Sequence, residues 1–362
     1  MKRIEGIKKS VFPEDDFYYE KLGLSKDKIE PWEDGMHTDG SKNTYEWWYF
    51  DFHFDDGSKL VVVYYTKNPV IVSVPLMPLV TLELTLADGR KFYNQITPPV
   101  KDCSYSKEGC EIVNGSSKVK GDLNCYDISF VGPSILAKIS LEGRVPSWRP
   151  KCGQIIFGDN EEHYFAWLPA VPEGRAVADL SIDGERIHLE GTGYHDHNWG
   201  NISMFKLMHH WYWGRAKVGD YTVISSWITA AAEYGYREFD IFMLAKGDEI
   251  IGDNSNHTLK FKTEDEYLDK NTGKLIYNRV IYEYETDQGE LYRVTYNREK
   301  DIAREFFYES IKKPLRVIAK AIGFNGSYQR FQGSVTIEKI IAGDVVEKVQ
   351  DNSAVWELMC FG

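Results

Sequence analysis

Short runs of alternating apolar and polar residues fill most of the chain, and nearly every run ends in a turn signal. Residues 46–54 read as a strand that stops at Asp55-Asp56-Gly57-Ser58, and 59–65 reads as its partner. Residues 80–86 and 91–96 flank Ala87-Asp88-Gly89-Arg90 in the same way. Period-two alternation bounded by Gly and Asp predicts hairpins. The pattern continues through 110–113, 116–123, 126–130 and 134–141, then through 176–182 and 186–193 around Asp183-Gly184-Glu185. It begins again after Asn201, with strands expected at 211–218, 221–229, 237–246, 249–254, 260–263, 275–286, 290–297 and 331–341. A short helix is expected near 15–22, and a longer one over 301–322. Many short strands at close spacing predict barrels or sandwiches, not βαβ units. The restart predicts a leader over 1–44, one β-domain over 45–203 and a second over 204–362.

Composition narrows the function. The net charge of −12 excludes a general nucleic-acid binder, which needs a basic face to release phosphate counterions. The 14% aromatic content suits β-structure and apolar cavities. Five cysteines without a C-x-x-C pair read as reduced thiols of a cytoplasmic protein, with Cys103 and Cys110 the one plausible local disulfide. No signal peptide and no transmembrane run are read; the longest apolar segment, 70–86, is broken by Pro75 and Pro78. The basic amphipathic stretch 311–322 fits transient contact with a membrane, or a helix packed on a barrel with its lysines in solvent.

The chemistry concentrates at Tyr194-His195-Asp196-His197-Asn198-Trp199. Six of the nine histidines fall between His163 and His210. On a strand, Tyr194, Asp196 and Asn198 face one way and His195, His197 and Trp199 the other. Enclosed by Tyr194, Trp199, Trp211 and Trp213, Asp196 is expected to lose solvation and hold its proton. A buried Asp that only accepts backbone hydrogen bonds is the plainer alternative. His195 and His197 invite a metal, yet no carboxylate follows at short spacing, so hydrogen-bonded histidines without a metal are expected. Glu46, Trp48 and Phe50 share a face of their strand; Glu46 reads as a second acid or base, or as a structural carboxylate. P-loop, dinucleotide and Gly-x-Ser-x-Gly patterns do not occur, and no cofactor is expected.

These residues resemble a known family. Glu46-Trp47-Trp48-Tyr49, Phe165-Ala166-Trp167-Leu168-Pro169, the Gly193–Gly200 block and Trp211-Tyr212-Trp213-Gly214-Arg215 follow the order seen in the carotenoid hydratases. That family is also called hydroxyneurosporene synthase or AttH-like, and kievitone hydratases and fungal Diels–Alderases are related to it. The resemblance implies an all-β protein of two tandem lipocalin-like β-barrel domains with a few short helices. It implies a terpenoid- or polyketide-like ligand and an aspartate, here Asp196, that protonates a double bond without a cofactor. The hydratases carry a His at the position of Phe165. His163 is close by but is expected to face differently.

The expectation is therefore a hydratase, cyclase or isomerase acting on an apolar unsaturated small molecule at the domain junction. Asp196, Tyr194 and Glu46 are its candidate catalytic residues. Trp48, Phe165, Trp167, His195, His197, Asn198, Trp199, Trp211 and Trp213 are candidates for the substrate cavity, with residues 46–50 and 194–198 near one shared space. A terpenoid carrier that performs no chemistry, and a metal enzyme using His195 and His197, are the competing readings.

Overall fold

The computed structural model describes residues 6–253, 259–307 and 326–361. Alternation produced what it predicts: the chain is all-β, with curled antiparallel sheets of the lipocalin-like kind. Among the described residues the two α-helices, Asp16–Leu22 and Met204–Leu207, are short. The chain divides into two compact units, Val11–Met204 and a unit of Phe205 onward with Ser10 and the residues before it.

In the Val11–Met204 unit eleven strands follow one antiparallel path, and Gln154–Phe157 pairs with His163–Ile182 off it. The path runs Lys91–Ile96, Leu79–Thr85, Lys59–Tyr65, Tyr45–Phe54, Glu185–Gly200, His163–Ile182, Ile135–Gly143, Cys125–Val131, Ser117–Gly121, Glu111–Asn114 and Cys103–Tyr105. The two longest neighbours are joined by Asp183-Gly184, both at positive φ (48° and 91°), the tight hairpin geometry that glycine permits. The inner faces of these strands close on Trp48, Phe50, Phe52, Leu60, Val62, Tyr64, Ile128 and Phe130, all nearly or fully shielded from solvent. Residues before Tyr45 are part of this packing. A 3₁₀ turn at Pro31–Asp34 opens on a capping box between Glu30 and Glu33 and buries Asp34. Gly35 follows, where a Cβ would stand 2.7 Å from the Lys107 carbonyl oxygen, so only glycine fits. All five cysteines are free, Cys103 and Cys110 included.

The other unit is a nine-stranded sheet among the described residues. Its order is Glu249–Asp253, Glu238–Lys246, Tyr221–Ala230, Met208–Val218, Asp344–Cys360, Ser327–Ile341, Leu291–Phe306, Leu275–Glu285 and Lys260–Leu268. Its core is aromatic: Tyr212, Tyr282, Tyr296, Phe331 and Trp356. The expected helix over 301–322 is corrected at its start, because residues to Phe306 continue the Leu291–Phe306 strand. Bulges between Arg298 and Lys300 and between Asp301 and Ala303 shift the facing pattern there. Such shifts turn strand alternation into something close to helical spacing. The basic stretch 311–322 lies outside the described residues. No described helix is long and apolar enough to cross a membrane.

Candidate active site

Glu185–Gly200 lies between Tyr45–Phe54 and His163–Ile182, paired with Asp196 opposite Tyr49, Trp199 opposite Glu46 and Asn198 opposite Trp167. Residues directly opposite share a face. Glu46 therefore stands with His195, His197 and Trp199, while Trp167 stands with Tyr194, Asp196 and Asn198. The shared cavity expected for Glu46 and Asp196 is thus corrected: they point to opposite faces of one sheet. Alternation predicts which residues go together along a strand, but not the register that joins two strands.

The face toward the core carries an ionic network. His195 donates from Nδ1 to the Tyr49 carbonyl (3.0 Å), and its Nε2 lies 3.1 Å from Asp34 Oδ2. The Tyr126 hydroxyl donates to the same oxygen at 2.6 Å. His197 Nε2 lies 2.9 Å from Glu46 Oε1, and its Nδ1 faces Asp34 Oδ1 at 3.5 Å. Glu46 also accepts from the backbone of His37 (2.7 Å) and Thr38 (3.0 Å) and from the Thr38 hydroxyl (2.7 Å). Rings seal the network. Phe50 stacks on His195 with centroids 4.0 Å apart, Trp48 on His197 at 4.4 Å and His37 on Trp199 at 4.0 Å.

Burial alone would raise both carboxyls. The imidazole of His195, then that of His197, and the Tyr126 hydroxyl outweigh it and hold Asp34 below its ordinary value. His197, the charge on His37 and the His37 backbone do the same for Glu46. His37 is itself pushed down to about 4, mainly by burial and then by His197. Asp34, Cys110 and His195 bring one ligand atom each within 4.8 Å of one another, so this corner is the described set that could hold a metal ion. His195 and His197 both face Asp34, and His197 also meets Glu46. Both carboxylates lie upstream of the histidines.

The opposite face is simpler. Asp196 Oδ2 accepts from the Tyr194 hydroxyl (2.7 Å) and the Trp167 indole (2.9 Å), and Oδ1 accepts from the Asn198 amide (2.7 Å). The residue is only 5% exposed. Burial raises its proton affinity, and although the Tyr194 and Trp167 hydrogen bonds oppose this, the carboxyl remains above its ordinary value. Near it the His163–Ile182 strand shifts register between Leu168 and Val171 and again before Gly174. Bulges of this kind recur beside active sites because they re-aim side chains.

Phe165 and Trp167 share the Asp196 side of their strand, and Trp148 meets Trp167 edge-on at 6.3 Å. The pairing is regular from His163 to Trp167, so His163 shares the face of Phe165, contrary to expectation. Trp199 and Trp48 lie on the histidine side, so Trp199 does not enclose Asp196; Trp167 does. Trp211 and Trp213 are half-buried in the other unit, where Trp211 donates to Glu357 at 3.1 Å. Asp34, His37, Thr38, Cys110 and Tyr126 were not expected. The run Pro31-Trp32-Glu33-Asp34-Gly35-Met36-His37-Thr38 holds three of them, and its density of aromatic and titratable residues is the one local signal.

Fold and site together define a tandem lipocalin-like protein with a buried carboxyl of raised proton affinity on one strand face. The chain belongs to the Diels-Alderase-like family, whose pattern matches residues 6–280. It is 26% identical over 230 residues to the quinolone epoxide rearrangement protein penF of Penicillium thymicola, covering 56% of this chain. The chain spans about 60% of the length of that relative. Among solved structures it resembles CghA with Sch210972, with a TM-score of 0.60, 14% identity and 88% and 89% of the two chains covered. A putative AttH from Nitrosomonas europaea superposes at 0.58 with 12% identity, covering 92% and 97%. At these identities the structural likeness is one of fold.

Proposed function

We propose that the protein is an enzyme that needs no cofactor and that cyclises, rearranges or hydrates an apolar unsaturated small molecule, with Asp196 as the acid. One observation carries this reading: a buried carboxyl whose three partners are neutral donors. Burial favours its protonated form. The Tyr194, Trp167 and Asn198 donors are already aimed at its oxygens, so the carboxylate left after proton transfer is stabilised without reorganisation. In the protonated state the Tyr194 hydroxyl or the turned Asn198 amide can accept what Asp196 donates. A protonated carboxyl in apolar surroundings activates an alkene, a carbonyl or an epoxide oxygen. The proton leaves Asp196 for the substrate, and the developing cation is captured by an internal nucleophile or by water. Loss of a proton from the product restores Asp196.

The names of family relatives, among them an epoxide rearrangement protein, support ring closure or rearrangement over hydration. Phe165, where the hydratases have a His, supports the same choice. The substrate class is terpenoid- or polyketide-like. The experiment is single-turnover product formation with a panel of such substrates, beside a binding titration of the same protein. Asp196→Asn is expected to bind as before and to lose turnover by about 10²-fold or more. Normal turnover by that variant removes Asp196 from the reaction. Tight binding of the panel with no conversion by the unmodified protein makes it a carrier.

A further inference from the structure

The Met208–Val218 strand opens on a bulge. Met208 pairs with Ala230 and His210 with Thr229, so His209 is an extra residue between them. Regular alternation sends consecutive side chains to opposite faces; the bulge brings these two together. Their Nδ1 atoms lie 2.8 Å apart with the rings nearly perpendicular, at 81°. His210 Nε2 reaches Thr229 Oγ1 at 3.4 Å. The His209 carbonyl accepts from the Phe361 backbone at 2.8 Å, which holds the bulge in place. Tyr236 meets His209 edge-on at 5.3 Å, and Tyr212 meets His210 at 6.2 Å. Both imidazoles are half-buried, neither closed off nor fully in solvent.

Two Nδ1 atoms at this distance share one proton, and two arrangements satisfy the chain. In the first, the Thr229 hydroxyl donates to His210 Nε2 and His210 Nδ1 donates to His209 Nδ1. His209 Nε2 then carries a proton and is a donor. In the second the links reverse: His209 Nδ1 donates to His210, His210 Nε2 donates to Thr229, and His209 Nε2 accepts. Each ring holds one proton in both cases. Burial, then the neighbouring imidazole and Lys274, push His210 down to about 4, and burial followed by Lys274 also lowers His209. The pair therefore stays neutral. A neutral imidazole donates to a carbonyl without becoming an ion, and a hydrogen-bonded chain behind it strengthens the last donor.

We propose that His209, backed by His210 and Thr229, is a polar anchor in this unit for the oxygen of a neutral carbonyl or enol ligand. The donating arrangement meets a carbonyl; the accepting one meets an enol hydroxyl. An anion gains less from neutral rings, and a hydrocarbon offers them nothing.

The test uses the full chain with ¹⁵N-labelled histidine and reads the imidazole nitrogens by NMR at neutral pH. Cyclohex-2-enone is the carbonyl probe, cyclohexene the oxygen-free control and benzoate the anion control. A saturable shift at His209 Nε2 with cyclohexenone alone is expected. Thr229→Val keeps the side-chain shape and removes the end of the chain, and should weaken the probe about threefold or more. The probe should also shift the linked His210 nitrogens, and His209→Gln should abolish that shift, with the signals of the remaining histidines reporting that each variant is folded. Equal shifts with cyclohexene or benzoate overturn the proposal, as does unchanged affinity in a folded Thr229→Val. The readout is binding, so it stands apart from the role assigned to Asp196.

Discussion

Two faces of one strand carry buried carboxyl chemistry and treat it in opposite ways. Asp34 and Glu46, against His195 and His197, sit among imidazoles and are held below their ordinary values. Asp196, on the other face, accepts hydrogen bonds only from neutral donors, and burial holds it above despite a smaller opposing effect of His195. All three are nearly excluded from water, at 1%, 0% and 5% exposure. Burial is therefore the shared cause, and the partners decide the sign. A carboxyl matched by imidazoles becomes part of the scaffold. A carboxyl hydrogen-bonded only by hydroxyl, indole and amide has a raised proton affinity, which is what the proposed acid role requires.

Removing one member of the ionic face should have the largest effect. Asp34→Ala leaves His195 and Tyr126 without their shared acceptor and His197 without the carboxylate beside its Nδ1, and unfolding in urea should show a loss of about 3–5 kcal/mol. A cost below about 1 kcal/mol would mean that the face is not an interdependent network. Asp196→Asn should behave in the reverse manner. The amide oxygen can keep Tyr194 and Trp167, and a turned Asn198 can accept from the new amide nitrogen. Stability should therefore change by less than about 1 kcal/mol, while turnover falls about 10²-fold.

The pH dependence of stability separates the two faces by sign. Near and below the ordinary aspartate value of 3.8, the unfolded chain binds more protons at Asp34 than the folded one, so stability rises with pH there. That contribution is complete above 3.8 and is lost as pH falls through the lower folded value. Above 3.8 the folded chain binds more protons at Asp196, so stability falls as pH rises through its raised folded value. Asp34→Asn should remove the acidic limb and Asp196→Asn the opposing one; limbs of the same sign would contradict the distinction. Trp167→Phe removes one donor and should move the Asp196 titration further up, read by carboxyl ¹³C NMR or as a shift in the pH–rate profile. Phe165→His should have the mildest effect, visible as an increased share of water-captured product.

Much of this was legible in the sequence, for definable reasons. Period-two alternation separated Tyr194, Asp196 and Asn198 from His195, His197 and Trp199, and the structure keeps that separation. The hairpin at Asp183-Gly184 was legible because only a few residues tolerate positive φ at both positions. Register was not, and so Glu46 was expected beside Asp196 when it faces away from it; Trp199 was expected there against the alternation of its own strand. Asp34 was not legible either, because nothing local marks a carboxyl in a turn as the partner of a distant imidazole. The start of the expected helix failed for another reason. Arg298, Asp301 and Arg304 recur at helical spacing, yet they pair with one another on a bulged strand.

The distance along the chain between Asp34 and His195 bears on the order of assembly. They are 161 residues apart, whereas the strands joined at Asp183-Gly184 pair from adjacent residues outward. Closing a long loop costs entropy that only later contacts return, so the hairpin is expected to form early and the Asp34 turn to dock late. Contacts made after the barrier slow unfolding without speeding folding. On that order the Pro31–Asp34 turn would be a kinetic latch: substitutions at Asp34 should steepen the loss of native protein over time while leaving the refolding rate nearly unchanged.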